Sequence, residues 1–168
     1  PTYNPQKITS PIVLDGMLDE QQWRTAQVAT NFIGTEIFQG QPAPLNTEAK
    51  LLYDDTHLYV GFVAYIDRSD LRFSITKRDN LDDRDDRVWI NIDAFGDESL
   101  TYGIGVSAGN AQIDGRATFG FDQSLDLTYE TKVKIYDDRY EVEMAIPFTS
   151  LRYSLASAQT WRINFGRG

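Results

Sequence analysis

The side chains best equipped for chemistry stand on one alternating run, Arg87-Val-Trp-Ile-Asn-Ile-Asp93. Trp89, Asn91 and Asp93 fall on one side of it and Val88, Ile90 and Ile92 on the other. An aromatic ring beside amide and carboxylate groups suits sugar recognition, because a pyranose has an apolar face and polar edges. The plainer account is that Trp89 covers the outer surface of a sheet. Just upstream lie Asp79, Asp82, Asp83, Asp85 and Asp86. Such a run invites calcium, which takes roughly six to eight oxygen ligands. Counted from Asp82, however, an EF-hand loop needs Gly where Arg87 stands and Glu where Asp93 stands. Arg78, Arg84 and Arg87 interleave with the aspartates, the pattern of a solvated, ion-paired loop. A loop calcium at Asp82, Asp83, Asp85 and Asp86 remains the alternative.

Other chemistries find little purchase. His57 is the single histidine and stands in a turn, so no Ser-His-Asp set is available. The chain has no cysteine, which removes disulfides, thiolate zinc sites and a thiol nucleophile. The 25 acidic residues offer carboxylate pairs everywhere and single out none. Haem would need His57 or Met144 in a pocket, but Met144 alternates with Val142 and Ile146 on a core face. Gly103, Gly105 and Gly109 precede no helix and so mark close packing or a bulge, not a phosphate loop. No enzymatic role is expected.

The elements that must position these residues are strands. Thr47 to Ile66 holds two apolar runs joined at Asp54-Asp55-Thr56-His57, a hairpin whose second arm, Leu58 to Tyr65, is apolar on both faces and so buried on both. Tyr129 to Ile146 is a second hairpin, turning at Asp137-Asp138-Arg139, with Glu130, Lys132 and Lys134 alternating outward to give one wet face. Strands are also expected at Ile12–Leu14, near Phe32, over Thr101–Ala108 and Ala111–Asp114, and at Trp161–Phe165. Residues 115–128 carry no clear signal. Asp19 with Gln22 reads as a capping box opening a helix from Glu20 to about Ala26 that turns Trp23 inward. Short helical turns are expected at Asp70–Phe73 and Ser150–Arg152. The sum is nine or ten strands with at most three short helices: an all-β, two-layer antiparallel β-sandwich of jelly-roll or immunoglobulin-like type.

Length and charge narrow the function. A chain of 168 residues supports one domain, residues 1–168. Net charge −9 argues against nucleic acid, whose phosphates need Lys and Arg. No apolar run approaches the roughly 20 residues of a membrane-spanning helix, so direct membrane insertion is not expected. Pro1 in place of Met, and a strand still running at Phe165, lead to the expectation of a piece from a longer protein.

Four blocks, LDGMLDEQQW, AKLLYDDTHLYVGFVAYI, DDRVWINIDAFGD and YEVEMAIPFTSLR, together resemble the family 9 carbohydrate-binding modules. They are most similar to the version at the N-terminus of large bacterial envelope proteins whose remainder is an expected outer-membrane β-barrel. The likeness runs from about Ile8 to Phe165 in the family's order. It implies a non-catalytic module for a carbohydrate or another envelope ligand, located in the periplasm, outer membrane or extracellular space. Sugar-binding relatives sandwich the ligand between exposed aromatics beside charged side chains, which makes Trp89, Asn91, Asp93 and Arg78 the candidate contacts. They usually carry Glu where Trp89 stands. Some relatives hold structural calcium; no cofactor is otherwise implied. The rival reading is a structural module packing on the parent's barrel and binding no sugar.

Overall fold

The structure, a computed structural model, describes residues 2–35, 39–118 and 120–168. In chain order the strands are β1 Gln6–Lys7, β2 Val28–Ala29, β3 Thr47–Tyr53, β4 His57–Tyr65, β5 Arg87–Asp93, β6 Thr101–Ser107, β7 Gln112–Ala117, β8 Phe121–Asp122, β9 Glu130–Ile135, β10 Arg139–Pro147 and β11 Arg162–Arg167. Among the described residues, helix α1 spans Gln21–Thr25 and a 3-10 turn spans Phe148–Ser150. The chain forms two compact units, Pro1–Leu71 with Glu130–Ile146 and Arg72–Tyr129 with Pro147–Gly168. Each is built on one sheet. Among the described residues no helix is long and apolar enough to cross a membrane.

In the first unit the strand order is β1-β3-β4-β10-β9, with β2 also pairing β3. β2 with β3, β3 with β4 and β9 with β10 pair antiparallel, and β1 with β3 pairs parallel. The expected hairpin supplies the middle of this sheet, and seven consecutive residues of β4, Leu58 to Ala64, are buried. Its turn is held by one side chain. Asp54 Oδ1 accepts from the backbone N–H groups of Thr56 and His57, both at 2.7 Å, while Oδ2 accepts from the Tyr59 hydroxyl at 2.8 Å. Burial would raise the Asp54 carboxyl, but the bonds from Thr56, Tyr59 and His57 outweigh it and hold it at about 2. The phenol of Tyr59, partly buried against that carboxylate, is pushed up to about 12.

One face of this sheet is covered by the chain's own N-terminal segment. Ile8, Ile12, Trp23, Ala26, Leu52, Tyr59 and Ala145 form a buried cluster with Leu14 and Leu18 against it. The Ile12–Leu14 strand expected from sequence is absent. The segment that follows, from Asp15 to Trp23, is anchored by two buried glutamates of β10, Glu141 at 8 % and Glu143 at 0 % exposure. Glu143 Oε2 accepts from Asp15 N–H at 2.9 Å and Gly16 N–H at 2.8 Å, and its Oε1 accepts from the Trp23 indole N–H at 2.9 Å. Glu141 Oε2 accepts from Leu18 N–H at 3.0 Å. A buried carboxylate survives only when its oxygens are filled, and the turn at Asp15-Gly16 supplies the donors. Gly16, at φ +90°, cannot be replaced here, since a Cβ would lie 2.8 Å from the Val133 carbonyl carbon. The helix also differs from expectation: its N-cap is Glu20, with no side-chain cap, so Asp19 and Gln22 form no capping box. Trp23 is fully buried as expected.

The second unit's sheet runs β11-β5-β6-β7-β8, all antiparallel. Val88, Ile90, Ile92, Ile104 and Val106 are all 0 % exposed, as the alternation demands. β2 takes the place of the edge strand expected near Phe32, and among the described residues beyond it an isolated bridge joins Ile33 to Pro42. The turn expected at Asp70–Phe73 falls at residues 68–70, and the one expected at Ser150–Arg152 falls at Phe148–Ser150.

Candidate functional site

The register of β5 decides what surrounds Trp89. Trp89 pairs with Gly105 on one side and Gly166 on the other, and Asn91 pairs with Gly103 and Asn164. Directly opposed residues share a face, so Trp89 stands between two glycines with an amide pair, Asn91 and Asn164, in the next row. The glycines are required by the ring. A Cβ at Gly166 would lie 2.1 Å from Trp89 Cε2, and one at Gly105 would lie 2.8 Å from Trp89 Cβ. The indole therefore lies flat along β11, from Gly166 toward Gly168, with one face on backbone. Trp89 and Asn91 are half-buried and Asn164 is exposed.

Asp93 ends the same row and is 5 % exposed. Its Oδ1 accepts from Gly96 N–H at 2.8 Å and Phe95 N–H at 3.2 Å, and its Oδ2 from Glu98 N–H at 2.9 Å. It shapes the loop after β5, in which Gly96 and Glu98 take φ of +73° and +64°. The structure thus brings Trp89 and Asn91 together at the surface and commits Asp93 to the turn.

Arg78 is committed elsewhere. Its Nε stands 2.9 Å from Asp114 Oδ1, the Asp114 side chain is wholly buried, and its second terminal nitrogen donates to Leu127 O at 2.9 Å. Burial pushes the Asp114 carboxyl up, against the pull of Leu127 N–H and the Arg78 charge. Tyr129, under the Arg78 guanidinium at 5.1 Å, donates to Gly105 O at 2.9 Å, and burial raises its phenol. This is a packing network: it holds the loop before β5 against β7.

The aspartate run is divided among separate local tasks. Asp82 pairs with Arg84 at 3.0 Å, and the Arg84 side chain holds its carboxyl at about 2. Asp85 accepts from Ser74 and from Asp82 N–H, and Asp86 from Arg72 N–H at 2.8 Å, while Asp83 is exposed. Among the described residues no three acidic or histidine side chains converge as a metal site. Trp161 is half-buried in a cluster with Phe148 at 6.1 Å and Tyr153 at 5.8 Å between ring centroids.

The chain as a whole is similar to known proteins in sequence and in fold. The family described as carbohydrate family 9 binding domain-like matches residues 14–165. The chain belongs to that family. Among solved structures, a family 9 carbohydrate-binding module from Caldicellulosiruptor kristjanssonii in complex with cellotriose is 22 % identical. The match covers 98 % of this chain and 75 % of that one, at a TM-score of 0.63. The same source's family 9 module in complex with glucose gives 21 % identity, coverage of 98 % and 76 %, and a TM-score of 0.62. A candidate carbohydrate-binding protein from Bacteroides uniformis is 9 % identical over 97 % of this chain and 81 % of that one, at a TM-score of 0.72. These likenesses show the fold, an all-β sandwich. None of the curated proteins matches the chain.

Within the family 9 frame, sequence reasoning missed Asn164, Gly166 and Arg87 as neighbours of Trp89. Alternation along Arg162-Ile-Asn-Phe-Gly166 marks the first two as one face of a strand. Only the pairing of β11 with β5 sets that face beside Trp89.

Proposed function

We propose that this chain is a non-catalytic carbohydrate-binding module, part of a larger cell-envelope protein in the periplasm, outer membrane or extracellular space, with Trp89 as the platform for a pyranose ring. The observation that carries this is the Trp89 indole lying over Gly166 with the Asn91 and Asn164 amides one row away. A sugar stacks its C–H face on such a ring, and its hydroxyls exchange hydrogen bonds with amides that both donate and accept. Family membership and the cellotriose and glucose complexes of its structural neighbours support the ligand class. Calorimetric titration with cellotriose and glucose tests it: saturable binding is expected, and Trp89→Ala abolishes it while leaving the melting temperature little changed. Absence of saturable binding in the intact protein refutes the reading.

A second reading, an interaction module docking on the rest of a parent protein, draws on the half-buried rings of Phe148, Tyr153 and Trp161 and on Leu155 between them in sequence, which is 99 % exposed. Binding to the parent's remaining segment in the absence of any sugar affinity would favour it.

A further inference from the structure

We infer that the Trp89 surface selects sugar acids, glycans carrying a hexuronate carboxylate, and that Arg87 is the residue that selects them. This rests on the carbohydrate-binding reading and names its ligand class. Arg87 and Trp89 are two residues apart on β5, so their side chains leave the same face with Cα atoms roughly 6.6 Å apart. The two side chains also border one patch of backbone. A Cβ at Gly168 would stand 3.3 Å from Trp89 Cζ3 and 3.4 Å from Arg87 Nε. The Arg87 main chain is pinned there by reciprocal bonds to Gly168, each 3.0 Å.

What distinguishes Arg87 is its place beside the indole, on the same face of β5 and without an ion-pair partner among the described residues. In this unit Arg78 pairs with Asp114, Arg84 with Asp82, Arg116 with Asp122, and Arg162 with Glu98. Among the described residues Arg87 takes part in none of the ion pairs. The carboxylate on the same face of β5, Asp93, has both oxygens filled by backbone N–H groups. Beside the indole, then, Arg87 is a cation on this face of β5 that enters none of the ion pairs among the described residues.

A pyranose stacked on Trp89 carries its C5 substituent at the ring's rim, within reach of a neighbour two residues along the strand. In a neutral hexose that substituent is a hydroxymethyl group, which makes an ordinary hydrogen bond. In a hexuronic acid it is a carboxylate, whose two oxygens match the planar guanidinium fork. The net charge of −9 opposes any anion at a distance. Screening over about 8 Å at physiological salt leaves the outcome to the nearest groups. The nearest charge on the face of Trp89 is Arg87, two residues along β5, while Asp93 lies four residues away.

Glucose and glucuronate differ only at C6 and isolate the contribution of Arg87. Calorimetric or NMR titration of the intact protein should give roughly fivefold or greater preference for glucuronate at low salt. The preference should shrink at high salt. Arg87→Gln should remove it, and Arg87→Lys, which keeps charge without the fork, should retain part of it. Equal binding of the two sugars, or a preference that persists in Arg87→Gln, overturns the inference and leaves sugar binding intact. Failure of both sugars to bind overturns this inference together with the function it rests on.

Discussion

Glu143→Gln tests how the N-terminal segment is fastened. Glu143 is 0 % exposed and faces three N–H donors, from Asp15, Gly16 and Trp23. Burial outweighs those donors and pushes its carboxyl up from 4.5 to about 7. A carboxyl raised in the folded state contributes stability that is complete below the unfolded value, 4.5, and is lost as pH rises through about 7. At about 1.4 kcal/mol per unit, the full loss is about 3 kcal/mol, of which about 2.5 kcal/mol falls between about pH 5 and about pH 8. Glutamine in its place does not titrate, and like the protonated acid it sets one donor among donors. Urea denaturation of both proteins at the two pH values should therefore show the wild type losing about 2.5 kcal/mol relative to Glu143→Gln on going from acid to alkaline conditions. A difference that stays constant with pH would mean that the three donors keep the group ionised throughout, and would refute the balance argued here. Trp23→Phe, by deleting the indole donor, should make the wild-type slope steeper.

Gly16→Ala places a Cβ against the Val133 and Lys134 backbone at 2.8 and 2.9 Å in a left-handed conformation; a loss of about 2–4 kcal/mol is expected in chemical denaturation. Asp54, held at about 2 from an ordinary 3.8, contributes stability present above the ordinary value and lost as pH falls toward 2. Acid titration of thermal stability should show that component missing in Asp54→Asn. Gly166→Ala drives a methyl into the indole at 2.1 Å; the expected result is a folded protein whose Trp89 ring is displaced, read as weakened sugar affinity. Unchanged affinity would show that the ring's seat on β11 is immaterial.

Strand positions were legible wherever alternation was clean. β5, the β3–β4 hairpin and the β9–β10 hairpin lie where the patterns set them, because a half-buried strand needs period two and these residues supply it. The failures share one cause. Glu141 and Glu143 look like a solvent face because isolated carboxylates belong in water, and they are buried because a segment some 120 residues away donates to them. Arg78 looked available for a ligand and is spent on Asp114, 36 residues along the chain. The cap at Asp19 failed because Glu20 holds the extended position, and the short helix is secured by the burial of Trp23.

The amino-acid sequence by itself determined where the long strands lie, that Trp89 and Asn91 share a side, and the family blocks from Leu14 to Phe165. These depend on spacing within a single element, where backbone geometry alone relates neighbours. Tertiary structure decided what stands beside Trp89, since strand register sets which residue of β11 faces it, and a shift of one residue would present Phe165 instead of Gly166. It also decided which charges are used up in packing and which, like that of Arg87, enter no ion pair among the described residues, because pairing energies depend on distance in space and not along the chain.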